Sequence, residues 1–99
     1  MTITENKTNN SIELVIAGRL DTTTAPELET KLRQIQGQTQ TLYLNLQNIE
    51  YISSAGLRTI LLAHKLMLPI GGKMIIRSPS SFCKQVLEAT GMDGILAVE

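Results

Sequence analysis

Between positions 42 and 68 the spacing of apolar residues changes its period. Leu42, Leu44 and Leu46 recur every second residue, whereas Leu57, Ile60, Leu61 and Leu68 recur at helical spacing. The first pattern predicts a strand and the second a helix with an apolar stripe. The stretch Asn48-Ile49-Glu50-Tyr51-Ile52-Ser53-Ser54-Ala55-Gly56-Leu57-Arg58 joins them and reads as a tight loop, two hydroxyls and a helix start. The first backbone N–H groups of a helix lack intrahelical partners, and serine is a favoured residue there. The positive end of the helix dipole lies at the same point, so a phosphoryl group is well tolerated. A serine at that place can become a dianion without melting the helix.

The rest of the chain repeats the change of period. Ile3 to Asn6 predicts a short strand, Asn9-Asn10 a turn, and Ile12, Leu14 and Ile16 a second strand that Gly18 ends. The pair predicts an antiparallel hairpin. Thr24-Ala25-Pro26-Glu27 predicts a helix start, with Thr24 as N-cap, Glu27 as its reciprocal partner and Pro26 in the first turn. Leu28, Leu32 and Ile35 give that helix its apolar face, and Gly37 ends it. Thr41 to Asn45 predicts a central strand, and the second helix runs from about Ser54 to Leu68, with Leu57 and Leu61 in the core and Arg58 and Lys65 exposed. Met74-Ile75-Ile76 is apolar at successive positions, which predicts a strand covered on both faces. Ser78-Pro79 opens a third helix with Phe82, Val86 and Ala89 on one face and Gly91 as its cap, and Ile95 to Val98 closes the chain as a strand.

The order β-β-α-β-α-β-α-β predicts an α/β domain: a mostly parallel sheet of four to five strands, with an opening hairpin and about three helices packed on it. Residues 1–99 are expected to form a single domain. In such sheets, sites form outside the carboxyl ends of the strands. The segments 18–24 and 48–54 both fall there.

Composition excludes several functions. Nine acids balance nine bases, so no basic surface awaits a nucleic acid. The aromatic residues are only Tyr43, Tyr51 and Phe82, too few for a base-stacking platform. Apolar runs are too short to span a membrane, and no secretory leader is visible. One cysteine, Cys83, excludes an internal disulfide and favours a reducing, cytoplasmic setting; its helical pattern predicts a buried thiol. One Cys and one His cannot build a metal cluster, and no cofactor is expected. The only histidine, His64, follows Ser54 by ten residues on the same helix, about 15 Å along the axis. It cannot act as the base for Ser54, so an enzyme is not expected.

Taken together, Gly18-Arg19-Leu20-Asp21 with Thr24-Ala25, then Leu44-Asn45-Leu46, then Tyr51-Ile52-Ser53-Ser54-Ala55-Gly56-Leu57, and Gly71-Gly72 resemble the STAS domain family, specifically the bacterial anti-sigma factor antagonists. The resemblance runs over nearly the whole chain in the expected order. It implies a phosphoacceptor serine at the start of the second helix, which falls on Ser54, with Asp21 and the 18–24 loop beside it. It implies a switch without enzymatic activity. The unphosphorylated antagonist binds an anti-sigma factor that is also a serine kinase of the histidine-kinase-like ATPase type, and so releases a sigma factor. The kinase then phosphorylates the antagonist and turns it off, and a PP2C-type phosphatase resets it. Two features depart from the pattern: the residue before the acceptor, often Asp, is Ser53, and the chain stops at Glu99, where many relatives carry a further helix.

The expected docking surface comprises Asp21, Thr22, Thr23, Ser53, Ala55, Gly56 and Arg58, with Gly56 letting another backbone come close. A monomer or weak dimer is expected. Two other functions fit a chain of this kind: an unphosphorylated STAS-like adaptor in a transport or signalling complex, and a small-molecule-binding domain. The second lacks a polar cluster in the sequence to line a pocket.

Overall fold

In the computed structural model, which describes residues 1–99, β1 (Thr2–Lys7) and β2 (Ser11–Leu20) form the opening antiparallel hairpin. The chain continues through α1 (Ala25–Ile35), β3 (Thr41–Ile52), α2 (Ser54–Met67), β4 (Lys73–Arg77), α3 (Ser81–Thr90), a 3-10 turn (Met92–Gly94) and β5 (Ala97–Val98). The strands lie in the order β1-β2-β3-β4-β5, and every pair after the hairpin is parallel. Each parallel strand is therefore the immediate neighbour of the one before. Right-handed crossovers that step in one direction place every helix on the same face of the sheet.

Burial follows that layering. Ile12, Leu14, Ile16, Leu42, Leu44, Leu46, Met74 and Ile76 are buried under the helices in one cluster of 21 apolar residues. The alternate positions Glu13, Tyr43, Asn45, Ile75 and Arg77 are only half-buried. The expectation that β4 is covered on both faces is thus overturned. Its open face joins a polar network instead: Arg77 lies 3.7 Å above the Tyr43 ring and 3.3 Å from Glu13, which also accepts from Asn45 at 3.2 Å. No helix is long and apolar enough to cross a membrane.

Two strands run further than their sequence pattern implies. Gly18, at φ +100°, does not end β2 but carries it through a register shift, and β3 continues past Asn45 to Ile52. At the irregularity the Asn45 side chain accepts from the Gln47 N–H at 3.1 Å, which breaks the alternation that a sequence reading follows. Two helices sit rotated from their expected faces. In α2 the buried residues are Gly56, Thr59, Ile60, Ala63 and Met67; Leu57 and Leu61 are half-buried, while Arg58 and Lys65 are exposed as expected. α2 carries apolar residues around most of its girth, so contact with the sheet selects the stripe with small residues that packs closest. In α3 the buried pair is Cys83 and Leu87, whereas Phe82 is 38% exposed and Ala89 is exposed. Ser80, not Ser78, caps that helix, accepting from the Cys83 N–H at 3.2 Å and donating to the Ile49 carbonyl at 2.8 Å. β5 is shorter than expected, because the Ile95 and Leu96 N–H groups bond back to the Met92 carbonyl of the 3-10 turn, at 3.0 and 2.8 Å, rather than to a strand.

Candidate functional site

The carboxyl ends of β2 and β3 stay paired to their last residues, Arg19 with Tyr51 and Leu20 with Ile52. Just beyond them, the Ser53 N–H donates to the Leu20 carbonyl at 3.0 Å. This bond ties the start of α2 to the loop that leads into α1. The two segments singled out in the sequence, 18–24 and 48–54, therefore meet, although residues 18–20 and 48–52 are strand and only Asp21–Thr24 and Ser53 are true connections.

Ser53 is the N-cap of α2: its backbone is extended and its hydroxyl accepts from the Gly56 N–H at 3.3 Å. Ser54 is the first helical residue and is exposed, and its hydroxyl makes no protein hydrogen bond. Gly56 is buried, and the backbone that approaches it belongs to this chain. A Cβ at position 56 would lie 2.5 Å from the Leu20 carbonyl oxygen and 2.8 Å from Leu20 Cγ. The close approach expected of a partner at Gly56 is taken up by β2. Ala55 is half-buried, and Arg58 is exposed one turn beyond Ser54.

Across the junction, the reciprocal cap expected of Thr24 and Glu27 does not form. The Thr24 hydroxyl donates back to the Arg19 carbonyl at 2.7 Å and accepts from the Asp21 N–H at 2.9 Å, so it makes no cap bond to α1. Asp21 orders this loop: its Oδ1 accepts from the Thr23 N–H at 3.0 Å and the Thr24 N–H at 3.2 Å. Its backbone carbonyl accepts from the Ala25 N–H at 2.8 Å. The Thr24 N–H, with the Thr23 N–H, the Thr24 hydroxyl and Arg19 adding to it, holds the Asp21 carboxyl below the usual aspartate range. Thr22 and Thr23 are exposed at the loop's crest.

Sequence reasoning named Arg19, Tyr51 and Phe82 but did not bring them together. The Arg19 guanidinium lies 4.3 Å above the Tyr51 ring, its Nε is 3.7 Å from Asp21 Oδ2, and Tyr51 packs on Phe82 with ring centroids 5.8 Å apart. The contact needs the Arg19–Tyr51 register, which is visible only once both strands extend to the junction. On the other side of Ser54, α1 and α2 part to leave an open groove of about 400 Å³. Thr22, Pro26, Arg33, Ala55 and Arg58 are among its lining residues. Cys83 is buried as expected, and burial pushes its thiol up.

The layered sheet, its hairpin entry and its serine-capped second helix define a small α/β module with all its helices on one face. Residues 3–99 match the STAS domain, and the chain belongs to that family. It is 31% identical to the anti-sigma-B factor antagonist of Staphylococcus aureus over 87 residues, which cover 87% of this chain and 81% of that one. The fold matches the unphosphorylated form of the anti-sigma factor antagonist SpoIIAA with a TM-score of 0.84 at 17% identity, over 99% of this chain and 88% of that chain. It matches the phosphorylated form of the Bacillus protein with a TM-score of 0.77 at 18% identity, over 99% and 91% of the two chains.

Proposed function

We propose that this chain is an anti-sigma factor antagonist switched by phosphorylation of Ser54. The observation that carries the reading is the contrast between the two serines. Ser53 spends its hydroxyl on the helix cap, whereas Ser54 stands exposed and unbonded at the first helical position. A kinase can reach Ser54 without opening the fold. The relative from Staphylococcus aureus is named an anti-sigma-B factor antagonist, and the SpoIIAA fold is known with and without phosphate.

In the unphosphorylated state the surface around Asp21, Thr22, Thr23, Ser53, Ala55 and Arg58 docks on an anti-sigma factor serine kinase of the histidine-kinase-like ATPase type, and the sigma factor is released. Gly56 supports that surface from below. Phosphate then brings about −1.5 to −2 charges to Ser54. Burying them against an apolar or acidic partner carries a desolvation penalty large enough to separate the pair. A PP2C-type phosphatase restores the neutral serine. The protein acts by binding rather than by catalysis, in the cytoplasm.

The test is incubation with the anti-sigma kinase and ATP, followed by intact-mass analysis and phosphopeptide mapping. One phosphate on Ser54, abolished in Ser54→Ala, supports the reading. Phosphate confined to Ser53 or Thr59 contradicts the acceptor, and tight binding with no phosphate uptake would instead make the chain an adaptor.

A further inference from the structure

The chain has four arginines, and three of them face a carboxylate: Arg19 meets Asp21, Arg33 meets Glu29, and Arg77 meets Glu13 and Glu99. Arg58 is the exception. It is exposed, has no ion pair or side-chain hydrogen bond, and sits on a helix without a single acidic residue. The residue that caps this helix, Ser53, is also neutral. Arg58 follows Ser54 by four positions, so the two side chains rise from the same face of α2, with Cβ atoms about 5–6 Å apart. The order is also the favourable one, with the anion nearer the helix start and the cation one turn on.

We propose that Arg58 captures the phosphoryl group carried by Ser54, so that phosphorylation withdraws this guanidinium from the docking surface as well as adding charge. The inference rests on Ser54 being the acceptor. Before modification the free guanidinium of Arg58 is available to a carboxylate of the partner, because nothing in this chain neutralises it. After modification a planar, permanently charged fork lies within reach of three phosphoryl oxygens and can take two of them at once. Phosphorylation then removes an attractive contact and adds a repulsive one in a single event. Three charged neighbours are already committed: Glu29 and Arg33 across the groove on α1 hold each other, and Asp21 is bonded to its own loop and to Arg19.

The experiment places phosphoserine at position 54 during translation, so it needs no kinase and its failure leaves the acceptor assignment untouched. Phosphorus NMR then follows the second ionisation of that phosphate in the otherwise native chain, in Arg58→Gln and in Lys65→Gln. The expected result is a midpoint a few tenths of a pH unit lower with Arg58 present than in Arg58→Gln, no change in Lys65→Gln, and a smaller difference at high salt. Arg58→Lys should recover part of the difference. Equal midpoints with and without Arg58, in chains whose circular dichroism shows them folded, would overturn the proposal.

Discussion

Replacing Gly56 with alanine sets two physical effects against each other. Position 56 is inside α2, where helix propensity alone makes Gly→Ala stabilising by about 1 kcal/mol. Packing opposes it. The added Cβ would lie 2.5 Å from the Leu20 carbonyl oxygen, 2.8 Å from Leu20 Cγ and 3.2 Å from Ile52 Cγ2. The closest atom is backbone and cannot rotate away, and it accepts the Ser53 N–H bond at 3.0 Å that joins the two halves of the site. Relief requires the start of α2 to lift off β2, which weakens that bond at about 0.5–1.5 kcal/mol and strains the contact at about 1–3 kcal/mol. Set against the propensity gain, the net loss should be about 1–3 kcal/mol. Urea unfolding followed by far-UV circular dichroism should show a lower midpoint at unchanged slope. Gly94→Ala, where a Cβ meets nothing within 4 Å, is the control and should be near neutral. A Gly56→Ala chain as stable as the parent, or more so, would refute the claim that β2 and α2 meet backbone to backbone at this position.

Three further outcomes are expected. Ser54→Asp should melt at the same temperature as the parent or slightly higher, since a carboxylate in the first turn is worth about 0.3–1 kcal/mol, while its binding to the anti-sigma factor falls; unfolding of this variant would mean that Ser54 is not the open position described. Ile60→Ala should cost about 2–5 kcal/mol, and Leu61→Ala clearly less, because Ile60 is fully buried and Leu61 only half so; the reverse order in chemical denaturation would place the wrong face of α2 on the sheet. Asp21, Glu13 and Glu5 are held below their usual ranges, chiefly by the Thr24 N–H, the Asn45 amide and Lys31 respectively. Depressed carboxyls contribute stability above their unfolded values and lose it as pH falls through the folded ones, so stability should decline below about pH 4. Asp21→Asn should be less stable than the parent at neutral pH, with the gap closing in acid, and a gap that persists unchanged at pH 2–3 would remove Asp21 from this account.

The switch from period two to period 3.6 around Ser54 was legible because Leu42, Leu44 and Leu46 alternate over a buried face and a serine cap follows them directly. The element order and the hairpin were legible for the same reason. The ends of β2 and β3 were not, because the irregularity near Gly18 and Gln47 breaks alternation, and pairing across strands, not local pattern, carries each to the junction. That loss hid the stacking of Arg19 on Tyr51. The faces of α2 and α3 were misjudged by one residue because each helix offers two apolar stripes, and only the sheet decides between them. Asp21 was seen as a site residue but its bonding was not. The Thr24 hydroxyl had two competing uses, and the bond back to Arg19 wins over the cap to α1.

The central claim is that one phosphate on Ser54 separates this protein from its anti-sigma factor. Isothermal titration of the anti-sigma factor with unmodified chain and with chain carrying phosphoserine at position 54 measures it directly. A penalty of a few kcal/mol, at about 1.4 kcal/mol for each factor of ten, should weaken binding about a hundredfold or more. Equal affinity for the two forms would contradict the account.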